Sequence, residues 1–203
     1  MVLTHVQVGN VATWSTKQWQ SDIALAQSAH IDAFALNIAA GEPHTSESLD
    51  LAFSAASSLG FKLFFSFDYA GNGPFDQSDV ISYINKYAAS PAYYRHNGKP
   101  FASTFEGPLN AADWVAIKSA TGCFFVPDWS SEGAKAALAL VPGVPDGLFS
   151  WAAWPWGDRD SNTYGNTLIV LQTLTPRTTG TSWILSRPFL HIWNVLDLSD
   201  AGR

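Results

Sequence analysis

Six times along the chain, a short apolar run ends in a polar residue and gives way to a stretch with helical spacing. The runs start near residues 3, 31, 61, 100, 123 and 147. Segments such as IDAFALNI (Ile31–Ile38) and FKLFFSFD (Phe61–Asp68) are continuous apolar blocks rather than clean alternations. A strand of that kind is buried on both faces. Joined through helices, such strands run parallel, because each crossover returns the chain to the same starting edge.

The strands read as Leu3–Asn10, Ile31–Ile38, Phe61–Asp68, Lys99–Gly107, Cys123–Asp128 and Gly147–Pro155. Ser15 to Gln18 forms a capping box ahead of Trp19, Ile23, Ala26 and His30 at helical spacing. Thr45 or Ser46 caps a second helix carrying Leu49, Phe53, Ala56 and Leu59, which Gly60 stops. Asp76 opens a third helix through Val80, Ile84 and Tyr87. Asn110 caps a fourth with Trp114 and Ile117, closed by Gly122, and residues 132–140 are an alanine-rich fifth. Pro91 to Pro100 is irregular, with a turn at Asn97-Gly98.

Two α/β architectures fit this alternation: an open doubly wound sheet, or a (β/α)8 barrel of the TIM type. No phosphate-binding fingerprint follows the first strand, where VGNVATWS stands instead of GxGxxG. The barrel is therefore expected, with about six βα units recognisable over residues 1–166. Residues 167–203 read as a divergent tail rich in Thr, Ser and Pro, with one poor strand at Trp183–Leu185 or Leu190–Val195. An open barrel of six strands would expose two edges and an apolar lumen.

Composition narrows the function. The 203 residues are 47% apolar, enough for a sizeable core, and the net charge is −6. Scattered lysines and arginines leave no electrostatic footprint for nucleic acid. No apolar run reaches the length of a membrane span. A single cysteine, Cys123, allows no internal disulfide, and no basic-then-apolar leader precedes the first strand. The expectation is a cytosolic protein, or one whose leader lies outside this chain. Nine tryptophans and thirteen phenylalanines in a weakly charged chain suit flat, neutral ligands such as sugars.

Polar groups recur at the strand ends: Asn10, Asn37, Asp68, Glu106, Asp128 and the tryptophans of SWAAWPW. In a parallel barrel these ends converge on the face where catalytic groups sit. Carboxylates gathered there suit glycoside hydrolysis, with one acid protonating the leaving oxygen and a second carboxylate activating water or attacking the sugar. Burial and mutual repulsion would raise one pKa and leave the other group ionised. Trp129, Trp151, Trp154 and Trp156 are candidate sugar platforms. Trp151 and Trp154 stand three apart on a strand, so only one of them meets the ligand.

Structural roles compete with these. Asp68 can cap the turn at Gly71, and Asp128 can cap a helix or hold a backbone amide. Asp32 begins a strand, at the opposite end from the site, and Trp19 and Trp114 lie on helical faces as core. His5 reads as a core residue, and His30, His44, His96 and His191 lack metal-binding spacing, so no metal or other cofactor is called for. Ser66 and Ser150 lack a GxSxG elbow, and Cys123 starts a buried strand as an inert thiol.

HVQVGN, IDAFALNI, FKLFFSFD, INKYAASPAYYRHNGKPFASTFEG, GCFFVPDWSS and DGLFSWAAWP together resemble the fungal α-1,3-glucanases, or mutanases, of glycoside hydrolase family 71. The resemblance covers roughly residues 2–160. It implies a (β/α)8 barrel, secretion, and hydrolysis of α-1,3-glucan in fungal cell walls with inversion, which sets two carboxylates roughly 6.5–9.5 Å apart. It also implies an acid and a base on a later strand, in a Trp-Asn-Asp-x-x-Glu-like motif. Here Trp193-Asn194 is followed by Val195, and no glutamate occurs after Glu132. By the resemblance, Asp68, Glu106 and Asp128 occupy the family's strand-end positions and line the sugar subsites or assist. Three readings stand at this point: a glucan hydrolase, a catalytically dead carbohydrate-binding fragment, or a truncated product whose frame departs beyond about residue 166.

Overall fold

A computed structural model describes residues 2–149 and the backbone of a short strand at Leu196–Asp197. Its centre is a sheet of five long strands: β1 (Leu3–Gln7), β2 (Ala33–Ala39), β3 (Lys62–Asp68), β5 (Lys99–Phe105) and β6 (Phe124–Asp128). All five run parallel and in order of sequence, β1-β2-β3-β5-β6. A doubly wound sheet reverses its strand order at a switch point, whereas a barrel does not. The sequential order is therefore that of a (β/α) barrel, present here in part.

Two extensions complete the sheet. The two-residue strand β4 (Arg95–His96) forms a hairpin with the start of β5, turning through Asn97 and Gly98, both at positive φ. Beyond β6, Phe149 bridges Asp128 in parallel, and Phe149 N–H donates to Pro127 O at 3.0 Å. That segment is pinned by Lys118, which donates to Val144 O and to Asp146 Oδ2 at 2.6 Å, while Asp146 Oδ2 also accepts from Phe125 N–H. The strand β7 (Gly147–Leu148) pairs antiparallel with β8 (Leu196–Asp197), just past the Leu190–Val195 segment expected to be a strand. The rest of the expected sixth strand, with Ser150, Trp151 and Trp154, lies outside the described residues, as do Trp156 and most of the tail.

Helices α1 (Thr16–Ser28), α2 (Thr45–Leu59), α3 (Gln77–Ala88), α4 (Asp113–Thr121) and α5 (Ala134–Leu140) follow the strands. Local signals explain most of their ends. Ser15 N–H donates to Gln18 Oε1 at 2.9 Å, one half of the capping box. Gly60 and Gly122 close α2 and α4 in the left-handed conformation that glycine adopts without strain. Two caps differ from expectation. His44, not Thr45 or Ser46, precedes α2, because Thr45 turns its hydroxyl back to Glu42 O. Asn110 sits in a single turn of 3-10 helix (Pro108–Asn110), and its amide reaches Asp113 as α4 begins.

The pleat divides the sheet into two faces. Phe65 meets Phe53, Tyr83 and Tyr87, and Phe67 meets Tyr83 and Trp114. Phe125 stacks on Trp114 with centroids 3.5 Å apart. These side chains face the helices, as do their partners in register, Leu36 and Ala102. Trp19 and Trp114 are fully buried, as expected. Asp32 Oδ2 accepts from Val2 N–H at 2.6 Å and fastens β1 to the start of β2, at the end away from the site.

Residues of opposite parity line the inner face, which is aromatic near the strand starts. Phe64, Phe101 and Phe124 stand side by side there, covered by Tyr94 and His96. Tyr93 and Tyr94 form a wedge at this end: Tyr94 N–H donates to Leu63 O, and Phe101 N–H donates to Tyr94 O. Direct pairing of β3 with β5 begins only at Phe65 and Ala102. Phe65, fully buried among five aromatic neighbours, is central to the outer layer. Phe65→Ala is expected to cost about 3–5 kcal/mol of stability, read as a lowered midpoint in urea; a loss below about 1 kcal/mol would mean the layer collapses around the gap.

Candidate functional site

Toward the strand ends the inner face changes character. One row holds Gln7, Asn37, Ser66, Ser103 and Val126, and the row above it holds Ala39, Asp68, Phe105 and Asp128. Asn37, Ser66, Ser103 and Asp128 are buried polar groups, an uncommon concentration on one side of a sheet. Ser103 Oγ is satisfied by donating to Val126 O at 2.6 Å. Asp68 and Asp128 share a row with one strand between them. Their backbones are thus separated by two strand spacings, roughly 9–10 Å.

Each carboxylate is held by the loop that follows it or the loop next to it. Asp68 Oδ1 accepts from the N–H groups of Ala70 and Gly71, at 2.9 and 2.8 Å. This is the turn-capping geometry, and it aims Oδ2 at the space beside Gly71, where an added Cβ would lie 3.3 Å away. Asp128, with no exposed surface, accepts through Oδ1 from the N–H and the hydroxyl of Ser130. Glu106 stands one residue past β5 at φ 54°, followed by Gly107 at φ 89°. Its carboxylate accepts from Ser131, at 3.2 Å from the amide and 2.5 Å from the hydroxyl.

Three other expected positions lie elsewhere than their strand-end reading implied. Asn10 is not on β1, which ends at Gln7. Val8 and Val11 both bury, and a turn of 3-10 helix (Val8–Val11) achieves that, leaving Asn10 exposed at the rim with its amide on Gln7 Oε1. Asn37 lies two residues inside β2, buried on the inner face. Trp129 is 1% exposed and packs edge-on against Phe125, so its indole is core and not an open sugar platform. An aromatic residue directly after a strand-end carboxylate suits either place; the hydrophobic contact with Phe125 decides it. Trp151 and Trp154 lie outside the described residues.

Glu42 is a fourth carboxylate on this rim, passed over in the sequence because it follows Gly41 and precedes Pro43 in an ordinary turn signal. Its Oε2 accepts from Ala39 N–H at 3.4 Å, and its Oε1 fills the space a Cβ on Gly9 would need. Asn72 donates to Ala40 O at 3.1 Å. The Tyr69 ring rests on Gly107, where a Cβ would come within 2.5 Å of Cγ. Burial, helped by the nearby charge of Asp113, pushes the Tyr69 phenol well above its ordinary pKa, so the ring stays neutral. Neighbouring loops are thus tied in succession: β1 to β2 at Gly9 and Glu42, β2 to β3 at Ala40 and Asn72, β3 to β5 at Tyr69 and Gly107, and β5 to β6 at Glu106 and Ser131. Among the described residues no three of His, Cys, Asp and Glu group to hold a metal ion.

Two stability measurements follow from this geometry. Asp68→Ala is expected to cost about 1–3 kcal/mol by orphaning two turn amides, and Asp68→Asn, which keeps the acceptor, less than about 1 kcal/mol; equal losses would remove the capping role. Gly107→Ala combines a left-handed φ with a collision against Tyr69 and should cost about 2–4 kcal/mol. A midpoint unchanged in urea would show that Tyr69 is free to leave.

A model of glycosyl hydrolase family 71 matches residues 1–176. A mutanase of Penicillium rubens is 36% identical over 156 residues, which cover 76% of this chain and 34% of that relative. The glucan endo-1,3-alpha-glucosidase agn1 of Schizosaccharomyces pombe is 34% identical over 177 residues, covering 80% of this chain and 41% of the relative. An ascus wall endo-1,3-alpha-glucanase of the same yeast is 25% identical over 186 residues, with 84% and 42% covered. The chain therefore spans 34–42% of the length of these curated relatives. Among solved structures, the GH99 endo-alpha-mannosidase of Bacteroides thetaiotaomicron superposes with a TM-score of 0.60 at 15% identity, over 78% of this chain and 50% of that one. That likeness is one of fold, and it agrees with the sequential parallel strands of a partial (β/α) barrel. With its sequence matched along most of its length, the chain belongs to glycosyl hydrolase family 71.

Proposed function

We propose that the chain acts on α-1,3-glucan as a glycoside hydrolase, by an inverting two-carboxylate route. The observation that carries this reading is the row at the strand ends, which sets Asp68 and Asp128 on one inner face with a buried polar layer beneath them. Backbones roughly 9–10 Å apart on the inside of a barrel allow the carboxyl separation of about 6.5–9.5 Å that leaves room for a water. Asn37 and Asn10 supply hydrogen bonds to sugar hydroxyls from the same side, and Glu106 borders the row. One of Trp151 and Trp154 remains the proposed platform. Membership of family 71, with relatives named as mutanase and α-1,3-glucanase, supports the linkage. A place outside the cell or in the wall is proposed on the same ground, one relative being named for the ascus wall. No helix among the described residues is long and apolar enough to cross a membrane.

A second reading has its own support. Asp68, Glu106 and Asp128 all accept hydrogen bonds from local loop donors, and Val195 stands where the Trp-Asn-Asp-x-x-Glu-like motif would place its carboxylate. Those are the features of a fragment that grips glucan without cleaving it. Incubating the purified chain with insoluble α-1,3-glucan separates the two. New reducing ends support hydrolysis, and pull-down without cleavage supports binding alone. If cleavage occurs, Asp68→Asn and Asp128→Asn should each lower the rate by about 10²-fold or more, and a rate within threefold of the parent would take that residue out of the chemistry.

A further inference from the structure

Glu106 is a non-glycine residue in the left-handed region, at φ 54°, with Gly107 at φ 89° after it. That conformation crowds the Cβ of a non-glycine residue and persists only where surrounding contacts enforce it. Here the enforcement comes from both sides. The Tyr69 ring occupies the space over Gly107, and Tyr69 N–H donates to Phe105 O at 3.0 Å. On the other side, both Glu106 oxygens are taken by Ser131, one by the amide and one by the hydroxyl.

Ser131 is adjacent to Ser130, which holds Asp128 in the same way, through its amide and its hydroxyl. Both serines belong to the one turn of 3-10 helix at Ser130–Glu132, whose entry is fixed by the buried Trp129. Two carboxylates, Asp128 at the end of β6 and Glu106 just past β5, therefore grip consecutive residues of a single turn. Rotating that turn would break the hydrogen bonds that hold Asp128, whose side chain has no exposed surface.

We infer that Glu106 is a positioning residue: through Ser131 it locks the turn after β6 and so sets the orientation of Asp128, and it does not itself exchange a proton with substrate. This rests on the hydrolase reading for its consequence in catalysis, but the clasp is a property of the folded chain alone. Glutamine is the informative replacement. Its Oε1 accepts from the Ser131 amide and its Nε2 donates to the Ser131 hydroxyl, so the clasp survives while the ability to transfer a proton is lost.

The test has two arms. In the first, hydrogen exchange is followed at the Ser130 and Ser131 amides. Glu106→Ala is expected to speed exchange by about tenfold or more, and Glu106→Gln to restore most of the protection; protection unchanged in the alanine variant overturns the inference. In the second, glucan cleavage is measured with kcat and KM separated. Glu106→Ala and Ser131→Ala should each lower kcat about tenfold with little change in KM, the double variant should be no worse than either, and Glu106→Gln should recover the greater part of the loss. Glutamine as damaging as alanine, with Ser131→Ala close to the parent, overturns the inference and gives Glu106 the proton. If the parent chain releases no sugar, the hydrolase reading has failed and the exchange arm still decides the clasp. Ser131→Ala keeps that arm decisive even if Glu106→Ala does not fold, since it removes the same hydroxyl contact from the other side.

Discussion

The in-register parallel ladder is the constraint on which everything else in this protein rests. Once β1, β2, β3, β5 and β6 pair in sequence order, residues far apart in the chain are forced into common rows. Asp68 and Asp128 are sixty positions apart in sequence yet stand level, separated only by Phe105. A slip of one residue on any strand would exchange its inner and outer side chains. On β3 that would turn Phe65 inward and Ser66 toward the helices, so the aromatic packing against α2 and α3 defends the register.

The inner face is graded along the strands. Phe64, Phe101 and Phe124 close the starting end beneath Tyr94, and Asn37, Ser66 and Ser103 form a polar storey above them. The carboxylates come last, at the strand ends. This order lets charged groups be partly desolvated while each keeps hydrogen-bond donors close by, which is how a buried polar group is tolerated. Asp128 is the extreme case, with its entire surface withdrawn from water and a serine supplying two donors.

Much of the frame was legible because strong local signals agreed with the tertiary outcome. Continuous apolar blocks marked β2 and β3, and Gly60 and Gly122 marked the ends of α2 and α4. The strand-end carboxylates were legible too, because a charge after a buried run is rare. What escaped was decided by contacts between distant segments. Asn10 looked like part of a strand, but burial of both Val8 and Val11 curls the chain after Gln7. Trp129 read as a sugar platform, and only its packing against Phe125 reveals it as core. Glu42 sat in a turn signal, and only the approach of Gly9 reveals its place on the rim. The wedge of Tyr93 and Tyr94 between β3 and β5 has no periodic signature at all.

The succession of ties between neighbouring loops has a consequence for how a polymer would be received. A lid works by swinging independently of its surroundings, and here the loops after β1, β2, β3, β5 and β6 are each fastened to a neighbour. Along this arc of the rim each of these loops is braced by a neighbour. On the proposed reading, a polysaccharide chain laid across it would meet loops that already brace one another, and more of the ordering penalty of association would fall on the sugar.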